Sequence, residues 1–206
     1  MTRKPETISF WMGRLPHWEV VDGRYFITIH LAGAIPPAGR NQIRTISRQV
    51  RSVIDKGSPN WLKLQRRIFA AMERWLDRAE YNTWLRSECI AETLIEAIIH
   101  RQRTGLWNVF EFVLMPSHLH IFCEMGRLGL KGTLEQFKRW TGHQAIRLLP
   151  QIGDRFWQRE WFDHWSRSDD EDARIAAYIR NNPVKAGLAT SFDEWKYGTS
   201  RLPGGM

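Results

Sequence analysis

The scarcity of cysteine and of long apolar runs in this chain argues against two classes of protein. Cysteine occurs only twice in 206 residues, as Cys89 and Cys123. Two thiols cannot build a disulfide framework, so we expect a protein of the reducing cytoplasm. No apolar run reaches the roughly 18 residues that a membrane-spanning helix needs. The opening residues are not followed by the apolar stretch of a secretory signal. Disulfide-rich secreted proteins and membrane proteins are therefore not expected.

Acidic residues are also in deficit. Thirty Lys and Arg residues against 22 Asp and Glu give a formal net charge of +8. A surface of this sign attracts polyanions, because each phosphate contact releases condensed counterions. Nucleic acid is therefore the first partner that we expect, and an anionic membrane the second. Apolar residues make up 43% of the chain, which is enough for the core of a single domain spanning residues 1–206.

The order of predicted elements indicates an α+β fold. Residues 1–23 are interrupted by glycine and proline and are interpreted as an irregular lead-in. Apolar periodicity then predicts a strand over 25–31, helices over 40–56, 61–79 and 88–103, strands over 107–115 and 118–123, a helix over 133–149, a strand over 156–162 and a last helix. Ser168 and Glu171 predict the start of that last helix, and Pro183 its end. This order predicts an antiparallel sheet with helices packed on it.

A possible metal site begins with His118 and His120. Side chains two residues apart on a strand share one face, so two imidazoles could converge on one ion. Two partly buried histidines without any function remain an alternative at this spacing.

Tyr178 and Asn182 form a second pair, four residues apart on the last helix, where side chains lie on the same face. The Asn182 carbonyl oxygen could be a third ligand for a divalent ion, and Tyr178 could attack a phosphorus atom beside it. The alternative is a core tyrosine and an asparagine that ends the helix. Taken together, metal ligands, a phenol and a basic surface are the parts needed for phosphodiester transfer through a covalent intermediate.

Three separated stretches resemble the REP-associated tyrosine transposases, a branch of the single-tyrosine HUH transposases. They are residues 113–120 (VLMPSHLH), 156–165 (FWQREWFDHW) and 178–188 (YIRNNPVKAGL). The resemblance covers about residues 24–200, in the same order.

The resemblance implies a ferredoxin-like (RRM-like) α+β sandwich and the roles of four residues. His118 and His120 would be the histidines of the HUH motif, and Asn182 would complete a site for Mg²⁺ or Mn²⁺. Tyr178 would be the nucleophile that becomes 5′-phosphotyrosyl and frees a 3′-OH. The partners would be hairpin DNA and its single-stranded flanks, cut and rejoined by a monomer or a homodimer.

Two departures from the family pattern stand out. Ser117 occupies the position before the first histidine where the family usually has Asn. The segment from about residue 58 to 87 is longer than expected, which indicates an added helix that could alter the grip on the substrate.

Two basic stripes are candidates for DNA contact. One is formed by Arg40, Arg44 and Arg48, and the other by Arg139, His143 and Arg147, with Lys131 and Lys138 close by. They could bind backbone phosphates, or they could be ordinary solvated helix faces.

Three other functions stay open from the residues alone. The first is a catalytically silent, domesticated DNA-binding protein on the same fold. The second is a replication initiator or relaxase of the wider HUH class. The third is an unrelated basic RNA-binding module whose histidines bind zinc or nothing.

Overall fold

The structure is a computed structural model that describes residues 3–79 and 82–203. Its strands are β1 (Thr7–Met12), β2 (Pro16–Val20), β3 (Arg24–His30), β4 (Trp107–Leu114), β5 (His118–Met125) and β6 (Phe162–Trp165). Its helices are α1 (Pro37–Ser52), α2 (Pro59–Leu76), α3 (Glu88–Arg103), α4 (Gly129–Leu148) and α5 (Asp169–Lys185). None of the helices in these residues is long and apolar enough to cross a membrane.

The main sheet has four antiparallel strands in the order β4-β5-β3-β6. Helices connect β3 to β4 and β5 to β6, and β4 runs directly into β5 through a tight turn at residues 115–117. This strand order and these connections are those of the split β-α-β arrangement of ferredoxin-like folds. The predicted fold class, an antiparallel α+β sandwich, is therefore confirmed.

The two faces of the sheet carry different residues. On one face the register places His118 beside His30, and His120 beside Thr28. Helices α2 and α5 cover this face, where the Phe26 ring contacts Phe69 of α2 and Tyr178 of α5. The other face is apolar, with Leu119 and Ile121 fully buried on β5. Helices α3 and α4 cover it, and Trp107 reaches both of them, contacting the Phe137 ring and donating to the Ile98 carbonyl.

Serine residues begin both helices that cover the His face. The Ser58 side chain accepts a hydrogen bond from the amide of Trp61 at 3.3 Å, and Pro59 occupies the first turn of α2. Ser168 caps α5 by accepting from the amide of Glu171, as the sequence predicted. Four acidic residues in the first turn of α5 complement the positive end of its dipole.

The end of α5 differs from its prediction. Pro183 lies inside the helix, which continues to Lys185. A proline this close to the end of the helix removes little of its hydrogen bonding, because the backbone carbonyls around it accept from amides further along the chain. The amide of Ala186 donates to Asn182 O at 3.0 Å, and that of Leu188 donates to Pro183 O at 2.9 Å. Asn182 therefore keeps helical alignment with Tyr178.

Two further segments require correction. The N-terminal lead-in, predicted to be irregular over 1–23, forms the antiparallel hairpin β1–β2 from Thr7 onwards; residues 1–2 lie outside the described part. Gly13 lies in the turn between β1 and β2, so this glycine separates two strands and does not prevent strand formation. The strand predicted over 156–162 begins only at Phe162, and Trp157 makes an isolated bridge to Leu31.

The segment predicted as a helical insertion, about 58–87, contains α2 and a short 3₁₀ turn at Trp84–Arg86. Residues 80 and 81 of this segment lie outside the described part. Helix α1 packs closely on α2 at Gly39, where a Cβ would lie 2.8 Å from the Trp75 ring. The contact fixes the position of α2 above the sheet, which matters because α2 faces His118 and His120.

Candidate active site

The two histidines at the start of β5 are buried and held by hydroxyl groups. Their ring centroids are 4.6 Å apart. Nδ1 of His118 lies 3.0 Å from the Ser117 hydroxyl, and Nδ1 of His120 lies 2.9 Å from that of Thr28. Such bonds fix the orientation of an imidazole and leave the other nitrogen available. Both Nε2 atoms are buried, and neither has a hydrogen-bond partner among residues 3–79 and 82–203.

A carboxylate from α2 completes the cluster. Glu73 is buried, and Oε2 lies 3.4 Å from Nε2 of His120. One ligand atom from each of Glu73, His118 and His120 can be chosen so that all lie within 4.8 Å of one another. The other carboxylate oxygen, Oε1, is buried and has no partner in the described part of the chain. Three buried groups from two elements therefore face one small volume.

The Tyr178 hydroxyl lies at the edge of this cluster. It donates a hydrogen bond to Oε2 of Glu73, and its ring centroid is 5.5 Å from that of His120. The ring also contacts Phe26 and Phe69 edge-on, which fixes the direction in which the hydroxyl points. The structure thus brings the predicted nucleophile and the predicted histidines together.

Asn182 lies four residues beyond Tyr178 on α5 and is 1% exposed. Both of its side-chain polar atoms are buried without a partner within the residues described. A buried amide in this state is costly unless something binds it. Asn182 and Tyr178 share one helix face, as their four-residue spacing predicted.

The protonation states follow from burial and from neighbouring charges. Burial and the adjacent His120 lower the pKa of His118 to about 3, so this imidazole is neutral. Burial alone would raise the pKa of Glu73, but His120 beside it outweighs burial and holds the pKa below its usual range. Burial and the charge of Glu73 raise the pKa of Tyr178, so the phenol keeps its proton. The cluster therefore contains a neutral imidazole, a carboxylate and a protonated phenol.

These residues fit a divalent cation. Imidazole nitrogens and a carboxylate oxygen are ligand types that divalent metals bind in proteins. Leaving several buried acceptor atoms without partners would be unfavourable, and a cation would satisfy them together. The donor set of Glu73, His118 and His120 can therefore hold a metal, and Asn182 supplies another buried oxygen on the neighbouring helix.

The predicted DNA-contacting residues lie on α1 and α4 and are not members of this cluster. Arg44 and Arg48 are exposed on α1, as is Arg40, which donates to the carbonyl of Ile35. On α4, Arg139 and Arg147 are exposed. Lys138 differs, because its ammonium donates to the carbonyl of Arg159 and lies 4.9 Å from the centre of the Trp161 ring. Burial lowers the pKa of Lys138 to about 8, so it is the least available cation of the six.

Glu73 was missed by the sequence reasoning, which considered only Asn182 as a third ligand. The sequence pattern that could have identified Glu73 as a ligand is weak, because it is a single acidic residue on the helix face that also carries Phe69 and Met72. The hydroxyls of Thr28 and Ser117 were not expected to orient the histidines either. His30, next to His118 across the sheet, is also buried, but its Nδ1 donates to the carbonyl of Leu31.

No known family model matches this sequence, and no curated protein matches it. Among solved structures, a candidate transposase of Deinococcus radiodurans R1 is similar with 11% identity and a TM-score of 0.40, over 79% of this chain and 92% of that chain. The REP-associated tyrosine transposase bound to a REP hairpin is similar with a TM-score of 0.51 and 16% identity, over 91% of this chain and 82% of that chain. The chain thus shares the α+β fold of a REP-associated tyrosine transposase.

Proposed function

We propose that this protein is a metal-dependent DNA transposase, an enzyme that cleaves and rejoins single-stranded DNA at hairpin sites through a 5′-phosphotyrosine intermediate. One observation carries the proposal: the hydroxyl of Tyr178 meets the buried, partly unpartnered cluster of Glu73, His118 and His120. A metal site beside a fixed phenol is what such a reaction requires.

The fold and the charge support a DNA substrate. The similar transposase is bound to a REP hairpin. The chain carries a net charge of +8, which favours association with a polyanion. Hairpin DNA with unpaired flanks is therefore the substrate class that we assign, with Mg²⁺ or Mn²⁺ as the cofactor.

In the cleavage step the oxygen of Tyr178 attacks the phosphorus of a single-stranded linkage. The new O–P bond replaces the P–O3′ bond, so the phosphate stays on the 5′ oxygen of the downstream strand, and the upstream strand leaves with its 3′ oxygen. The Tyr178 proton passes to the Glu73 carboxylate, with which it is already hydrogen-bonded, and the leaving oxygen takes a proton from water. A bound metal supplies charge neutralisation at the phosphate. Attack by a free 3′-OH on the phosphotyrosine reverses these bonds and rejoins the DNA.

His118, His120 and Glu73 would hold that metal, with Asn182 as a further oxygen donor. Ser117 and Thr28 fix the two imidazoles through their Nδ1 atoms. Phe26 and Phe69 hold the phenol ring in place through edge contacts.

The test is a cleavage assay on labelled single-stranded hairpin oligonucleotides, chosen from repeats that flank the gene. Wild type and Tyr178→Phe are incubated with Mn²⁺, Mg²⁺ or Zn²⁺, and denaturing gels are scored for a covalent protein–DNA adduct. We expect an adduct in wild type, its absence in EDTA, and none in Tyr178→Phe.

If hairpins bind but neither an adduct nor a nick forms with any metal, the catalytic proposal fails. The domesticated DNA-binding protein would then be the better explanation. A nick without an adduct would show that water, rather than Tyr178, is the nucleophile.

A further inference from the structure

Beside Tyr178 lies a cleft that the reaction described above does not use. It opens between α2 and α5, and Tyr178 forms part of its wall. Its volume is about 590 Å³, within the range of roughly 300–1,000 Å³ typical of small-ligand sites. We call it the α2/α5 cleft.

The floor of the α2/α5 cleft is aromatic. It is formed by Phe26 of β3, Phe69 of α2 and Phe162 of β6. The rings of Phe69 and Phe162 are 5.1 Å apart and inclined by 34°, while Phe26 meets Phe69 edge-on at 5.2 Å. Phe69 is only partly buried, so part of its ring is open to the cleft. Such a floor suits a flat, apolar group.

The rim of the same cleft is cationic. Arg66 of α2 and Arg174 of α5 line it and are exposed. Neither arginine forms a salt bridge with any carboxylate in the described ranges. Arg167 also lines the cleft, stacked 4.1 Å above the Trp165 ring.

Among the residues that the structure describes, a single carboxylate, that of Glu171, lines the α2/α5 cleft. It is already engaged, because it accepts from His164 at 2.9 Å and from the backbone amide of Arg167 at 2.7 Å. Three guanidinium groups against one occupied carboxylate leave an excess of positive charge. An uncharged peptide or a lipid chain would satisfy the aromatic floor but not this rim.

A nucleotide satisfies both parts. Its base can stack on an aromatic ring, and its phosphate can pair with guanidinium groups, which match phosphate geometry. The base must be unpaired, since a base inside a duplex is already stacked between its neighbours. A cleft that adjoins the Tyr178 ring would hold a nucleotide close to the linkage that Tyr178 attacks.

We propose that the α2/α5 cleft binds an unpaired nucleotide of the DNA strand next to the cleaved linkage, with its base on Phe69 and its phosphate on Arg66 and Arg174. The inference rests on the proposed function, and it gives helix α2 a second task. The same helix supplies Glu73 to the metal cluster and Phe69 and Arg66 to the strand. Substrate grip and metal binding would then be built on one element.

The test measures binding in EDTA, so that cleavage cannot occur. A single-stranded oligonucleotide carrying 2-aminopurine at one position is compared with a blunt duplex of the same sequence by fluorescence anisotropy and by quenching. We expect Arg66→Ala/Arg174→Ala to weaken single-strand binding about tenfold and to lower its salt slope by about 0.7, since the two arginines share one phosphate and each phosphate contact to a single strand contributes about 0.7. Duplex binding should change less than twofold.

Phe69→Leu keeps an apolar side chain and removes the stacking surface. We expect it to abolish the 2-aminopurine quenching and to weaken single-strand binding about tenfold. The matched control for the Arg66→Ala/Arg174→Ala variant is Arg103→Ala/Arg127→Ala. It also removes two positive charges, from exposed positions at the end of α3 and just before α4. Thermal unfolding followed by circular dichroism verifies that each variant is folded.

The cleft proposal is overturned if wild type binds no single strand, or if the Arg66/Arg174 variant binds it as the control variant does. The proposed function can still stand in that case, because the Tyr178 adduct is scored separately. Conversely, if wild type forms no adduct but single-strand binding depends on Phe69 and the two arginines, the cleft proposal holds and the nuclease proposal fails.

Discussion

Glu73 is the residue that links the two halves of the candidate site. Its Oε2 accepts from the Tyr178 hydroxyl and lies 3.4 Å from Nε2 of His120. The nearby imidazole keeps the pKa of this carboxyl low despite burial, so it is ionised at neutral pH. A carboxylate in this position is a stronger ligand for a divalent cation than the neutral amide of Asn182, because it carries charge.

This difference gives a prediction for metal affinity. Replacing Glu73 by Gln preserves the shape of the side chain and removes its charge. We expect Glu73→Gln to weaken Mn²⁺ binding about 10- to 100-fold, a loss comparable to that seen when groups supporting a metal site are removed. Asn182→Ala should weaken it less. Isothermal titration of Mn²⁺ into the DNA-free protein measures both changes.

The matched control is Glu96→Gln, which removes an equal charge from the exposed face of α3 and should leave the affinity unchanged. If Asn182→Ala costs more affinity than Glu73→Gln, the ligand set implied by the family resemblance is the better one. Glu73 would then act only on the Tyr178 hydroxyl.

At the scale of elements, the hairpin β1–β2 is attached to the main sheet by a buried ion pair. His17 of β2 is 2% exposed and is hydrogen-bonded through Nδ1 to Asp163 of β6. Its other ring nitrogen lies 3.4 Å from Glu160, and its ring stacks on Trp11. Burial would lower the pKa of His17, but the two carboxylates outweigh it and raise the pKa to about 9.

A raised pKa makes the stability of this attachment depend on pH. Protonated His17 is favoured in the folded state, so its contribution is complete below the unfolded pKa of about 6.5 and is lost as the pH rises through 9. We expect the difference in unfolding free energy between wild type and His17→Gln to shrink by up to about 3 kcal/mol between pH 6.5 and pH 10. Urea unfolding at several pH values measures it.

Comparison with the variant removes the effect of other groups that titrate in this range, such as Lys138, whose pKa is about 8. A difference between the two proteins that stays constant from pH 6.5 to pH 10 would mean that His17 is not protonated in the fold. Its position would then rest on packing against Trp11 and Trp161.

Local patterns predicted those parts of the fold and site that depend on near neighbours in sequence. His118 and His120 share a face because strands alternate, and Ser168 caps α5 because its side chain reaches the amide of Glu171. The contribution of Glu73 could not be predicted from local patterns. It depends on how α2 lies across the sheet, which no periodicity within α2 reveals.

The N-terminal hairpin shows the same limit of local sequence patterns. Its glycine and proline residues are turn signals, and they are equally compatible with irregular structure. Pairing of β1 with β2 and the contact of His17 with Asp163 decide between the two. Long-range packing therefore settled what the local signals left open, both here and at Glu73.

At the scale of the whole molecule, positive charge is distributed over several surfaces, and their shapes differ. Arg139 and Lys131 of α4 are exposed and line a concave surface that encloses about 630 Å³. Arg44 and Arg48 of α1 are exposed on a helix face, and the pocket that Arg44 lines holds only about 70 Å³. A concave basic surface can contact phosphates along a DNA backbone from more than one side, so we expect the α4 surface to hold the stem of the hairpin.

Salt dependence separates the two surfaces, because each phosphate contact to duplex DNA contributes about 0.9 to the slope of log affinity against log salt. Lys131→Ala/Arg139→Ala should lower the slope for a hairpin stem by about 2, and Arg44→Ala/Arg48→Ala should lower it by much less, although both remove two charges. Fluorescence anisotropy with a labelled hairpin between 50 and about 300 mM salt measures the slopes. An equal decrease of the salt slope in the two variants would mean that net charge, rather than the α4 surface, holds the stem. A larger decrease in the α1 variant would place the stem on α1, the helix that packs against α2.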